Sequence, residues 1–120
     1  MCCALLLAPL LGGGAQAQTD EACLSPQTQL LMTECAFKAY DASDVELNEV
    51  WISAKEFADA IGQGDALLEA QRTWLAFRDA ACGVHAAPYE GGSIQPMIRA
   101  NCLSTLTQER TRMLREFHAY

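Results

Sequence analysis

The chain has 120 residues and a formal net charge of −7, long enough for one domain with a modest core. Fifteen acidic against eight basic side chains argue against nucleic acid and anionic membrane surfaces as partners. They leave a basic partner or no charged partner.

The chain opens on "ALLLAPLL" (Ala4 to Leu11), then small residues and "AQA" (Ala15 to Ala17). This is the apolar region and small-x-small cleavage pattern of a secretory signal peptide, and it is too short to span a bilayer as a stable helix. "MCC" carries no Lys or Arg where a positive n-region belongs, which leaves the true start open. Cys23 follows "DEA", which is not a lipoprotein box. The expectation is a signal peptide over residues 1–17, a helical domain over 18–120 and a soluble, periplasmic or secreted product. All the charges lie after Ala17, so the product keeps the full −7.

Cleavage removes Cys2 and Cys3 and leaves Cys23, Cys35, Cys82 and Cys102. An even count in a small exported chain suggests two disulfides. Of the three possible pairings, the local one (Cys23–Cys35 with Cys82–Cys102) is favoured, because each bond closes a short segment around a predicted helix end. Each would contribute on the order of 2–4 kcal/mol. There is no CxxC, and His85 and His118 are not spaced as a ligand pair, so neither metal nor cofactor is expected.

The first predicted helix begins near Pro26, with Ser25 as N-cap and proline at the first helical position. Its apolar stripe reads Phe37, Tyr40, Leu47, Trp51, Ala54, Ala58, Ile61, with Thr33 and Asp44 on the same side. "GQG" (Gly62 to Gly64) stops it. If continuous, it spans about 35 residues and ~50 Å; a break near Asp41–Ser43 is the alternative. The second helix starts at Asp65 and is predicted to end at Gly83. Leu67, Gln71, Trp74, Arg78 and Ala81 share its inner face. "GVHAAPYEGGS" (Gly83 to Ser93) reads as a loop. Ser93 caps the third helix, Pro96 sits in its first turn, and Ile98, Cys102, Leu106, Met113 and Phe117 are its expected buried stripe. No strand-like alternation of useful length occurs. The predicted fold is all-α, a small three-helix bundle with a long first helix, stapled by two disulfides.

Gln71, Trp74 and Arg78 place polar groups on a face that must be buried. A small helical core accepts Arg78 only if a carboxylate or backbone carbonyls pair with it. Asp44 and Asp79 are the candidates. The reading is a polar clasp of Asp44, Asn48, Gln71 and Arg78 that fixes the register of the first two helices.

These residues also carry a resemblance. "LLEAQRTWLAFRDAAC", the downstream "GGSIQPMIRANCLSTLTQERTRMLRE" and the upstream "TECAFKAYDASDVELNEVW" resemble the lysozyme inhibitor LprI N-terminal-like family of small exported bacterial domains. The match runs over nearly all of the mature chain. Its most specific strings are Q-x-x-W-x-x-x-R-D-x-x-C and, after G-G-S, C-x-x-x-L-T-x-x-R. Trp51 stands where such domains more usually carry tyrosine. The named inhibitor is a lipoprotein, and without a lipobox here its anchoring is not carried over. The resemblance implies a non-enzymatic inhibitor of lysozyme-type muramidases. A −7 domain would be steered to a basic lysozyme, and "HAAPYEGGS" is the segment expected to enter a cleft, with His85, Tyr89 and Glu90 as contact residues. A non-inhibitory envelope binding module of the same fold is the alternative. No carboxylate pair is tied to a cleft, neither histidine has a nucleophile partner, and disulfide-bonded cysteines cannot serve as nucleophiles, so catalysis is not expected.

Overall fold

The computed structural model describes residues 21–119. The predicted signal segment therefore falls outside the described residues. Three helices account for most of the rest: α1 (Gln29–Ala60), α2 (Gly64–Ala86) and α3 (Gln95–Phe117), with a 3₁₀ turn (Ala87–Tyr89) between the last two. Among the described residues there is no strand.

α1 is one unbroken helix of 32 residues, about 48 Å at 1.5 Å per residue. It starts later than the Ser25–Pro26 signal suggests. Thr28 is the N-cap, in extended backbone, and its hydroxyl accepts from the Leu31 N–H at 3.1 Å. Ser25 instead accepts from the Gln27 side-chain amide through its carbonyl and hydroxyl. At the other end Gly62 takes φ +75°, the left-handed conformation that glycine adopts without penalty. The N–H groups of Gln63 and Gly62 then donate to the Ala58 and Asp59 carbonyls. This paired closure caps the helix and turns the chain into α2.

α2 does not stop at Gly83. It continues to Ala86, and the Ala87 N–H still donates to the Gly83 carbonyl. Pro88 ends the regular helix, because it has no N–H to continue the ladder. The chain tightens into the 3₁₀ turn there. α3 begins at Gln95 with Pro96 in its first turn, but its N-cap is Ile94 and no side chain caps it, so Ser93 does not play that part.

Two disulfides tie the elements, Cys23–Cys35 and Cys82–Cys102. The first holds the segment before α1 against that helix. The second, with Cys82 fully buried, joins the end of α2 to the start of α3.

α3 packs against both other helices, and its inner stripe is Ala100, Leu103, Ser104, Thr107, Thr111 and Leu114. On α1 the buried residues are Ala36, Ser43, Leu47, Ala54 and Ala58. The predicted α1 stripe holds at Leu47, Ala54 and Ala58, whereas that of α3 is rotated; Phe37, Ile61, Met113 and Phe117 sit at the rim, each more than a third exposed. The cause is size. Alanine, serine and threonine let helix axes approach, and larger apolar side chains then close the edges, as Phe57 and Phe117 do edge-to-face at 5.3 Å. The apolar centre consists of Leu47, Ala54 and Leu114, with Val50, Trp51, Leu67 and Trp74 packed on it. The buried hydroxyls are satisfied. Thr111 donates to the Thr107 carbonyl at 3.0 Å and Ser43 to the Ala39 carbonyl at 2.8 Å.

Candidate partner-binding surface

The segment joining α2 to α3 is more ordered than a connecting loop. Its Glu90 N–H donates to the Ala87 carbonyl at 3.1 Å, and the Gly92 N–H to the Tyr89 carbonyl at 2.9 Å. Glu90 has φ −56° and ψ 131°, and Gly91 has φ +80°. Tyr89-Glu90-Gly91-Gly92 is therefore a type II β-turn, whose third position calls for glycine and whose second is the outermost side chain. That second position is Glu90. Gln95 reaches back across the turn, its side-chain amide 3.5 Å from the Ala86 carbonyl.

His85 is exposed on the last turn of α2, where a cation is favoured by the helix dipole. It borders a pocket of about 310 Å³ between α2 and α3, with Ile98, Asn101, Cys102, Thr105 and Leu106 as the other walls. Tyr89 is exposed on the 3₁₀ turn. His85, Tyr89 and Glu90 thus come together at one end of the bundle, directly after the Cys82–Cys102 staple. An aromatic ring and a carboxylate on a braced turn, with an imidazole on the helix end before it, can stack and exchange hydrogen bonds with a partner. Among the described residues there is no group of His, Cys, Asp and Glu able to hold a metal ion.

Gln71 and Arg78 are buried, and the structure draws their partners from α3 and from α2 itself. The Gln71 side-chain carbonyl accepts from Arg110 Nε at 2.8 Å. Arg78 donates through Nε to Asp79 Oδ1 at 3.0 Å, and its Nη1 lies 3.4 Å from the Thr107 hydroxyl. Trp74 lies between the two guanidinium groups, 5.3 Å from Arg78 and 6.0 Å from Arg110, and Tyr40 of α1 covers Arg78 at 5.5 Å. Burial lowers the Arg110 guanidinium from its ordinary pKa. Asp44 and Asn48 line a shallow pocket beside Gln71, yet neither hydrogen-bonds to Gln71 or Arg78. Asn48 is solvent-exposed. α1 instead meets α3 through Ser43, one residue before Asp44: its hydroxyl is 3.1 Å from that of Ser104, and Gln108 donates to both. Sequence reading missed this node because a charged neighbour drew attention from a small hydroxyl. The available signal was the spacing, since Ser43 lies seven residues from Ala36 and four from Leu47.

The family model described as lysozyme inhibitor LprI matches residues 20–114. A protein of Rhizobium meliloti (strain 1021) described as uncharacterized is similar, at 34% identity over 124 aligned positions covering 93% of this chain and 88% of that protein. No solved structure matches the chain.

Proposed function

Because the chain belongs to the lysozyme inhibitor LprI family, we propose that it is an exported inhibitor of lysozyme-type muramidases, acting through the end of α2 that carries His85 and the following turn that carries Tyr89 and Glu90. Residues 1–17 serve as its export signal, and residues 18–120 form the inhibitory domain. Two disulfides fit an oxidising, extracytoplasmic compartment. Among the described residues no helix is long and apolar enough to cross a membrane.

The observation that carries this reading is the braced type II turn. Binding by a flexible loop loses conformational entropy on docking, roughly 0.5–1.5 kcal/mol per ordered side chain. Here much of that ordering is already in place, through the turn hydrogen bonds and the adjacent disulfide. Tyr89 supplies a rigid aromatic surface for a sugar-binding cleft, and Glu90 an acceptor at the tip. The charge of −7 steers the approach to a basic lysozyme, an effect that fades as salt shortens the Debye length to about 8 Å at physiological ionic strength.

The test is a titration of a basic animal-type lysozyme on cell-wall substrate with the oxidised protein, beside an unrelated protein of equal negative charge. Stoichiometric inhibition that survives physiological salt is expected, reduced at least tenfold in potency by Tyr89→Ala together with Glu90→Gln. Inhibition no greater than that of the acidic control would remove this function for that lysozyme class. Inhibition untouched by the double substitution would move the site elsewhere on the molecule.

A further inference from the structure

The groove between α1 and α2, beside the middle of α2, is a recess that the turn does not use. It holds about 300 Å³, room for one large amino acid. Leu47 and Trp51 of α1 and Leu68 and Leu75 of α2 form its apolar walls, interrupted by Asp44 and Asn48 from α1 and by Gln71 and Arg72 from α2. Gln71 is only 9% exposed, and chemistry fixes its orientation. Arg110 Nε can only donate, so the Gln71 atom that faces it at 2.8 Å is the carbonyl oxygen. The amide nitrogen is the other branch. It donates to no group among the described residues, and it is not sealed off but opens on the groove. Asp44 and Arg72 bring opposite charges to the same groove without pairing. Among the described residues Asp44 forms no ion pair, and Arg72 forms only that with Glu69 at 3.8 Å. The α2 wall thus offers unused donors, and the α1 wall an unused carboxylate.

We propose that this groove binds a free α-amino acid with an apolar side chain. The ligand carboxylate is received by the Arg72 guanidinium and the Gln71 amide, and its ammonium donates to the Asp44 carboxylate and the Asn48 side-chain carbonyl. Its side chain lies against the four apolar walls, the usual division of labour in a small-molecule site. A zwitterion fits better than either single ion. A simple anion would meet Asp44 as a like charge, and a simple cation would meet Arg72. A wholly apolar molecule would leave the Gln71 amide covered and without an acceptor. Arg72 keeps 66% of its side chain exposed, so water weakens its share of the contact. The expected dissociation constant is therefore on the order of 1 mM.

Titration of L-leucine into the oxidised, isotope-labelled protein at about pH 6, where the ligand amine is charged, tests this by nuclear magnetic resonance. Saturable shifts of the Gln71 side-chain amide and the Trp51 indole are expected. N-acetyl-leucine lacks the ammonium and leucinamide lacks the carboxylate, so each should bind at least tenfold more weakly. Asp44→Asn should weaken leucine at least fivefold and leave N-acetyl-leucine unchanged. Arg72→Gln should weaken leucine similarly and leave leucinamide unchanged. Neither side chain holds a hydrogen bond in the core, so both variants keep the fold, which their remaining resonances check. No saturable shift at roughly twenty times the expected constant overturns the proposal. Equal binding of leucine and either blocked form also overturns it, because the groove then fails to read both charges. Variants that weaken all three ligands alike, or none, do the same. None of these readouts involves lysozyme, so the amino-acid site stands or falls apart from the inhibitory function.

Discussion

Arg78→Ala is expected to lower the unfolding free energy by about 3 kcal/mol, whereas Arg78→Met should cost less than half of that. The side chain is buried and fills the space between Tyr40 and Trp74. Alanine leaves a cavity there, removes both cation–π contacts and takes the donor away from the Thr107 hydroxyl. Methionine keeps most of the volume and the contact with the two rings. The charge itself contributes less, because its carboxylate partner Asp79 is largely exposed and rehydrates when Arg78 is gone. Urea denaturation of both variants decides between packing and charge. Equal losses would mean that the ion pair, not the filled volume, carries the stability.

Removing the Cys82–Cys102 disulfide with a double alanine substitution should cost about 3 kcal/mol or more, and should weaken lysozyme inhibition beyond what stability alone explains. The bond closes a 20-residue separation that contains the whole α2–α3 turn, whereas Cys23–Cys35 closes 12 residues and ties the segment before α1 to that helix, outside the turn. Loop-closure entropy makes the longer bridge slightly more stabilising. Cys82 is also fully buried, so truncation adds a small cavity. The functional difference is the sharper one. Loss of Cys82–Cys102 frees the turn that carries Tyr89 and Glu90; loss of Cys23–Cys35 leaves it braced. Thermal melts paired with inhibition curves on the two double variants separate the effects. Inhibition that falls equally in both variants, at a temperature where each remains folded, would show that turn rigidity is not what the second bridge supplies.

Much of this fold was legible in the residues. The glycine pair at Gly62–Gly64, Pro96 near a helix start and the even set of cysteines after Ala17 each act through local chemistry, and each marked a feature the structure contains. The burial of Gln71 and Arg78 was also readable, because both share a face with Leu67 and Trp74. So was the centre of the α1 face at Leu47, Ala54 and Ala58, whereas its small-residue positions and the inward face of α3 were not. Hydrophobic periodicity follows the largest apolar side chains, but these helices approach through Ala36, Ser43, Ala100, Ser104 and Thr107, and their larger residues seal the rim. The polar partners were misplaced for the same reason. On α1 the inward polar position is Ser43 rather than the adjacent Asp44, and the contacts of Arg78 and Gln71 pass to Thr107 and Arg110 on α3. The end of α2 was obscured because glycine permits a helix to stop without requiring it, and proline five residues later is what stops it. At the turn, sequence identified the exposed side chains, but the hydrogen bonds that make it rigid depend on backbone angles no composition rule supplies.

The most direct measurement is backbone hydrogen exchange of the oxidised protein, free and saturated with a basic lysozyme at physiological salt. The expected footprint is a slowing of exchange across residues 85–92, with α2 from Ala66 to Phe77 unchanged. A footprint confined to α1 or to the outer face of α2, or no footprint at saturating lysozyme, would contradict the assignment of the turn as the inhibitory surface.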